Sequence, residues 1–429
     1  MPFETPILAR RRVAVIGGGI SGMAAAYRLA PAAEVVLFEG DRRLGGHART
    51  VMAGKRGDQP VDTGFIVWNE ANYPNLIRMF ADLDVPVVKS DMSFGASIDG
   101  GRLEYGLASA GAVFAQRRNL VDPRFLGMLR DILRFNRQGV ALAQDPTLTI
   151  AGFLERLGTG AWFRDYYILP LSGAIWSTPA QGILDFPAQA LIRFFQNHAL
   201  MGLTGQHQWF TVKGGSIEYV HRLTAALTRA GVQLRLNARV QGVRRTAGGA
   251  EVRANGGVWE AFDEVILATH SDDALRLLAD PTEAEARDLA AVRYQTNDVV
   301  LHCDESVMPK RRKVWSSWVY VQRKGDDPGR IDLTYWMNSL QPIPKDDPLF
   351  VTLNSNAPID AGKVYDRVSF RHPVYDLPAQ SAKARIAATN GARHTWFCGA
   401  WMGNGFHEDG YASALAVADA LADPAGQPA

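Results

Sequence analysis

The run Arg12 to Gly22, RVAVIGGGISG, constrains this chain more than any other stretch. Val13, Ala14, Val15 and Ile16 are small or branched apolar residues, the composition of a strand buried on both faces of a parallel sheet. Gly17, Gly19 and Gly22 follow at G-x-G-x-x-G spacing. The first glycine permits a tight turn, the second lets a pyrophosphate approach the backbone, and the third lets the next helix pack on the strand. That helix, predicted over 20–29 and opening with Ile20 and Ser21, turns free N–H groups and the positive end of its dipole toward a phosphate.

The surroundings extend the pattern. Ala26 and Leu29 fall on the sheet-facing side of the helix, and a second apolar run, Val35 to Phe38, ends in Glu39. A carboxylate there hydrogen-bonds ribose hydroxyls, where an NADP site would place an arginine. Gly40, Arg43, Gly45, Gly46, His47 and Thr50 follow. The whole run, G-x-G-x-x-G-x3-A-x2-L…E-x5-G-G-x3-T, resembles the FAD signature of the amine-oxidase superfamily. That superfamily includes monoamine and polyamine oxidases, protoporphyrinogen oxidase and carotenoid desaturases. The resemblance implies non-covalently bound FAD rather than NAD, contacted by Gly17, Gly19, Ile20, Ser21, Gly22, Glu39, Gly40, Arg43, Gly45 and Gly46. His47 stands where amine oxidases carry an arginine, and is expected to hydrogen-bond phosphate or the flavin edge.

Composition narrows the remaining classes. A chain of 429 residues has room for two domains around a large core. A net charge of +2 argues against a nucleic-acid partner. Cys303 and Cys398 sit in apolar contexts and read as reduced core residues of a cytoplasmic protein, and no metal-ligand spacing appears. The first strand begins near residue 12, leaving no room for a secretory leader ahead of it. No run of eighteen apolar residues is present to span a membrane.

Along the chain, VDTGFIVWN (61–69) matches the superfamily turn whose backbone lies against the flavin ring, which places Thr63, Gly64 and Phe65 there. Residues 70–90 are predicted as a helix and a return strand, and two short strands over 93–98 and 102–105 lead into a helical block running to about 204. Between Arg117 and Arg137 six arginines face two aspartates, a local balance of +4, around an apolar stripe of Phe125, Leu129, Ile132 and Leu133. Such a helix is either a solvated face or a contact with an anionic membrane surface or substrate. The aromatic stretch 166–200 is either plain core or the wall of an apolar substrate tunnel.

The segment WFTVKGGSIEYVHRLTAAL (209–227) resembles the superfamily's glycine pair before a helix. Val240 matches the residue that pairs its backbone with adenine. In DEVILATH, His270 replaces the usual glycine near the pyrophosphate. Residues 291–384 alternate like antiparallel strands and form the sheet floor of a substrate domain. Finally, TWFCGAWMGNGFHEDGYASALAVADAL (395–421) closes the FAD site. Gly399 is expected beside the pyrophosphate, Phe406 in front of the flavin, and Asp409 and Gly410 at the start of a helix aimed at the flavin edge. Trp401 is near, and no clear second aromatic emerges for an amine cage.

The expected fold is α/β: a Rossmann-type FAD-binding domain of the amine-oxidase kind (10–78, 208–290 and 385–424) interleaved with a mixed α+β substrate domain (79–207 and 291–384). Segments such as LGGHART, DTGFIVWNEANYPNL, FFQNH, RHPVYD and GFHEDGYASAL resemble a narrower bacterial flavoprotein group linked to methyl-branched and furan fatty acids. That resemblance implies an acyl-lipid dehydrogenase or desaturase. It would act on a lipid or fatty-acyl partner in the cytoplasm, peripherally on the inner membrane face, with O2 or a quinone as final acceptor. His407, Glu408 and His372 are the candidate bases, from their places in these segments. Two other readings stand beside it: a flavin amine oxidase, and a flavin-binding sensor or scaffold without turnover. Oligomeric state is not legible.

Overall fold

A computed structural model describes residues 10–176, 180–202, 206–326 and 332–422. Part of the aromatic stretch, residues 177–179, lies outside the described residues. At the centre is a five-stranded parallel sheet in the order Gln233–Arg235, Glu34–Phe38, Arg12–Ile16, Glu264–Leu267, Thr395–Phe397. Ile16 is in register with Phe38 on one side and Leu267 on the other, so the strand ends and their loops gather at one edge. The chain leaves the central strand there for Glu34–Phe38 on one side and later for Glu264–Leu267 on the other. This is the switch point at which such sheets open a crevice.

Val13, Ala14, Val15 and Ile16 are buried, as the apolar run requires. The helix Ile20–Leu29 packs on the sheet through alanines, and the C-terminal helix His407–Ala422 packs on that helix. Their close approach needs Gly410, where a Cβ would lie 2.9 Å from Ser21 Oγ and 3.0 Å from Ile20 Cγ2. A Cβ at Gly22 would overlap the Gly17 carbonyl oxygen, so the third glycine of the motif is dictated by helix-on-strand contact.

The second body is a seven-stranded sheet in the order Val364–Pro373, Tyr294–His302, Phe350–Leu353, Asp332–Trp336, Trp318–Gln322, Phe94–Ile98, Leu103–Gly106. It is antiparallel except where Trp318–Gln322 pairs parallel with Phe94–Ile98. Helices Pro123–Leu142, Ile150–Leu157, Leu169–Trp176 and Ala188–Asn197 pack with it in one large core.

Two placements differ from the sequence expectations. A boundary at 78/79 falls inside the helix Pro74–Asp82, whose buried Leu76, Met79 and Phe80 join the core of the parallel sheet. The following strand, Val87–Ser90, pairs with Trp209–Val212. At the other end, Leu377–Ala388 packs on Glu283–Ala291 and buries Ala379 and Ile386 with the parallel sheet. Amphipathic periodicity shows that a helix buries one face, not which sheet receives it. Cys398 is fully buried, but Cys303 is only half-buried, its thiol directed at the Lys363 carbonyl; both are free.

Buried Asp62 locks three segments together. Its carboxylate accepts from Thr50 Oγ1 (2.6 Å), the Ser216 backbone N–H (2.8 Å), Ser216 Oγ (2.7 Å) and Gln341 Nε2 (3.0 Å). Burial pushes the carboxyl up to about 6, against the pull of these donors. The aspartate of the VDTGF segment is therefore scaffold behind the turn. The Arg49 guanidinium, paired at both ends with Asp366 (2.6 and 3.0 Å), fixes the same region to the antiparallel sheet.

Candidate functional site

A single cavity of about 1740 Å³ runs from the glycine loops of the parallel sheet into the helical layer. It exceeds the roughly 300–1,000 Å³ of a site for one small ligand. At the sheet end it is lined by Gly17, Gly19, Ile20, Ser21, Glu39, Gly40, Gly45, Gly46, His47, Thr63, Gly64, Phe65, Val240 and Gly399. These are residues that the sequence singles out, brought from six separate segments.

Of the remaining predicted contacts, Phe406 also lines the cavity, and Gly22, Arg43, Asp409 and Gly410 sit behind the wall. Gly22 is buried against Gly17. The Arg43 guanidinium donates to the carbonyls of Leu44 (3.2 Å), Gly46 (2.8 Å) and Ala48 (3.0 Å), so it shapes the glycine-pair loop from outside the cavity. Asp409 accepts from the Phe406 N–H (2.9 Å) and holds the 403–406 loop, and Gly410 is in the helix contact already described.

The sheet end fits a dinucleotide. Gly17 has φ +108°, and a Cβ there would lie 2.6 Å from the Ala268 carbonyl oxygen. Gly19 begins the helix with extended backbone and no side-chain cap, leaving its first N–H groups open to the cavity. A Cβ on Gly46 would lie 3.1 Å from the Gly19 Cα, so the two glycine loops form a cradle that side chains would fill. The Glu39 carboxylate is held by the N–H groups of Gly18 (2.6 Å) and Asp41 (2.8 Å), at the end of the strand beside Val240.

His47 adds an orphaned atom: its Nε2 is buried in the wall with no partner, while the ring hydrogen-bonds the Arg371 backbone. Burial holds it down to about 4, so the ring is neutral at pH 7. A neutral ring that donates to a backbone carbonyl carries its lone pair on Nε2. That atom suits a hydroxyl or N–H donor of a bound ligand; of the two partners expected for His47, a phosphate oxygen or the flavin edge, it disfavours the phosphate.

Beyond the glycine loops, the candidate bases separate. Glu408 does not line the cavity. Its Oε1 accepts from the Asn75 N–H (3.0 Å) and Asn75 Nδ2 (2.7 Å), and its Oε2 from the Leu76 N–H (3.0 Å). It caps the helix Pro74–Asp82, a structural position that overturns its reading as a base. His407 does line the cavity, stacked on Phe65 with centroids 3.9 Å apart, and its Nε2 meets Tyr219 OH at 2.7 Å. Burial keeps the Tyr219 hydroxyl protonated and lowers His407 to about 3, so the two form a neutral hydroxyl–imidazole pair. The Nε2 of that imidazole is already engaged.

His372 is fixed by a relay that begins in the backbone. The Asp298 N–H donates to Asn354 Oδ1 (2.8 Å), Asn354 Nδ2 to Asn297 Oδ1 (2.7 Å), and Asn297 Nδ2 to His372 Nδ1 (2.8 Å). Each amide is oriented by the one before it. His372, lowered to about 3 by burial, therefore presents Nε2–H to the cavity: a donor and not a base. Asn297 lies in the polar strand end YQTND, where nothing in the sequence marks it as buried or as the partner of His372.

The end within the helical layer is apolar. From the helical layer come Leu107, Val113, Phe114, Leu129, Ile132, Leu133, Leu171 and Ile175, and among the described lining residues of 107–206 none is Asp, Glu, Lys or Arg. Where this tunnel meets the cofactor end, Phe406, Phe194, His198 and Trp209 form a file of rings, with neighbouring centroids 5.2, 3.8 and 5.6 Å apart. Phe406 was legible as an aromatic before the flavin; its partner Phe194, more than 200 residues earlier, was not. Tyr375 OH is buried in the same wall without a partner. Trp401 backs the loop, donating to the Thr269 carbonyl (3.0 Å).

Comparison with known proteins agrees with this architecture. Residues 20–345 match the family described as flavin containing amine oxidoreductase. A 43-residue stretch is 54% identical to protoporphyrinogen oxidase 2 of Arabidopsis thaliana, covering 10% of this chain and only 8% of that protein. The fold is similar to a putative protoporphyrinogen oxidase from Exiguobacterium sp. 255-15 (TM-score 0.69, 18% identity, 96% of this chain and 98% of that one). It is similar to cyclohexylamine oxidase from Brevibacterium oxydans IH-35A (0.67, 16%, 96% and 100%). It is also similar to a fatty acid isomerase from P. acnes that produces CLA (0.64, 14%, 96% and 98%).

Proposed function

Since this chain belongs to the flavin containing amine oxidoreductase family, and is thus an FAD-dependent oxidoreductase, we propose that its substrate is an acyl chain, which it dehydrogenates as a lipid desaturase. The observation that carries the reading is the apolar lining that the helical layer gives the cavity, with no charged side chain among its described residues over 107–206. Each methylene moved from water into such a lining gains about 0.8 kcal/mol, so burial along it holds a long chain. The similarity in fold to a fatty acid isomerase is in keeping with this.

Gly17, Gly19, Gly46, Ile20 and Ser21 would hold the pyrophosphate, Glu39 a ribose, and Val240 the adenine. The bound FAD supplies hydride acceptance. The chain's own residues orient and exclude water: the Phe406–Trp209 file presses on one side, and His372 Nε2–H offers a donor to an acyl oxygen. Written whole, a saturated chain and an oxidised acceptor (O2 or a quinone) give an unsaturated chain and the reduced acceptor.

An amine oxidase is the second reading, favoured by the family. Anaerobic flavin bleaching decides between them. Detergent-dispersed methyl-branched acyl lipids should bleach the flavin and yield product two hydrogens lighter. Bleaching by amines or polyamines alone would establish the second reading. No bleaching by either, with dithionite still reducing the flavin, would favour a sensor or scaffold.

A further inference from the structure

We propose that the outer face of helix Pro123–Leu142 docks this protein on an anionic lipid surface, beside an opening of the tunnel. The helix buries Phe125, Met128, Ile132, Phe135 and Gly139. Its opposite face presents Leu126, Arg130, Leu133, Arg137 and Val140, all exposed and spaced 4, 3, 4, 3, so apolar and cationic side chains alternate along one stripe. Leu120 and Val121 extend it at the foot, 52% and 79% exposed. Exposed valine and leucine at this density beside guanidinium groups need a reason.

Charge selects the occupant. Of the two acids in the segment, Asp131 is buried, its carboxylate 3.8 Å from Arg130 Nε, and Asp122 caps the helix and pairs with Arg124 (3.0 Å). Among the described residues, no carboxylate pairs with Arg117 or Arg137. A protein partner of ordinary kind would cover a contiguous apolar patch. A stripe one residue wide, with apolar tips between long cations, instead suits acyl tails beneath a layer of phosphates, where arginines reach back to the headgroups.

The same helix connects this face to the tunnel. Leu133 is both exposed and part of the lining, as are Ala108 and Ala110. The acyl-chain reading gives the face its purpose, and docking itself stands without it.

Sedimentation of the full-length, flavin-loaded protein with vesicles tests this. Vesicles of straight-chain saturated phosphatidylglycerol and phosphatidylcholine are compared with phosphatidylcholine alone, so that no substrate chemistry is read. Binding is expected only to the anionic vesicles and is expected to weaken with salt. Arg130→Gln/Arg137→Gln should bind about thirty-fold less tightly, at roughly fivefold per charge. Leu126→Ser/Val140→Ser should also weaken it, while Arg56→Gln/Arg229→Gln, an equal change of net charge elsewhere, should not. Retained flavin absorption and thermal midpoint establish that each variant is folded. The proposal is overturned if the anionic vesicles are not bound, if the control pair weakens binding as much, or if the stripe variants instead dissolve a dimer. Failure of acyl lipids to bleach the flavin would sink the substrate reading and leave this result untouched.

Discussion

Replacing Glu408 separates a structural role from a catalytic one. Its carboxylate satisfies three donors at the start of helix Pro74–Asp82, two of them backbone N–H groups that have no partner within the helix. Loss of a helix cap costs about 0.5–2 kcal/mol, and loss of negative charge at a helix N-terminus about 0.3–1 kcal/mol. Glu408→Ala removes all three contacts and is expected to destabilise by about 2 kcal/mol. Glu408→Gln keeps one oxygen, which can still serve both donors of Asn75, and loses the Leu76 contact and the charge, so about half that is expected. In a chain of this size the alanine variant should unfold roughly 2–5 °C lower, and glutamine in between. The assay pairs thermal unfolding with the rate of anaerobic flavin reduction per bound flavin, which should stay within about threefold for both variants. General bases contribute about 100-fold to 10,000-fold. A glutamine variant with an unchanged midpoint and a hundredfold slower reduction would refute the assignment.

Three further outcomes follow from the same geometry. Asn297→Asp places a carboxylate opposite His372 Nδ1 while still accepting from Asn354; nitrogen NMR should show His372 change from the Nε2–H to the Nδ1–H tautomer, with its pKa raised from about 3. Burial holds His47, His198 and His302 to about 4, and His270, His372 and His407 to about 3. The unfolded chain protonates these rings below about 6.5 and the folded one does not, so stability should be level above pH 7 and fall from pH 6.5 toward 4. Asp62 and Asp332, raised to about 6, oppose this but are outnumbered; a denaturation midpoint flat across that window would contradict the burial of the rings. Gly22→Ala should yield protein without flavin, because its Cβ overlaps the Gly17 carbonyl oxygen; Gly127→Ala, in open space on a helix, should keep its flavin and gain up to about 1 kcal/mol.

What the sequence determined by itself is local in origin. The strand, turn and helix of RVAVIGGGISG follow from apolar run, glycine spacing and period, and Glu39 from its place at the end of the next strand. Those features recur wherever a backbone must approach a phosphate, so the dinucleotide end of the cavity was legible residue by residue. The sequence also placed His372, His407 and Glu408 near the chemistry without distinguishing them. Only the tertiary structure did that, because the protonation and availability of each group depend on partners far away in the chain: Tyr219 for His407, Asn297 and Asn354 for His372, and Asn75 for Glu408. The tunnel belongs to the same class. Phe194 and Phe406 each read as a buried aromatic, and only the packing of the helical layer against the parallel sheet puts them ring to ring. Hydrophobic patterning records that a side chain leaves water, and the fold alone decides which neighbours it meets.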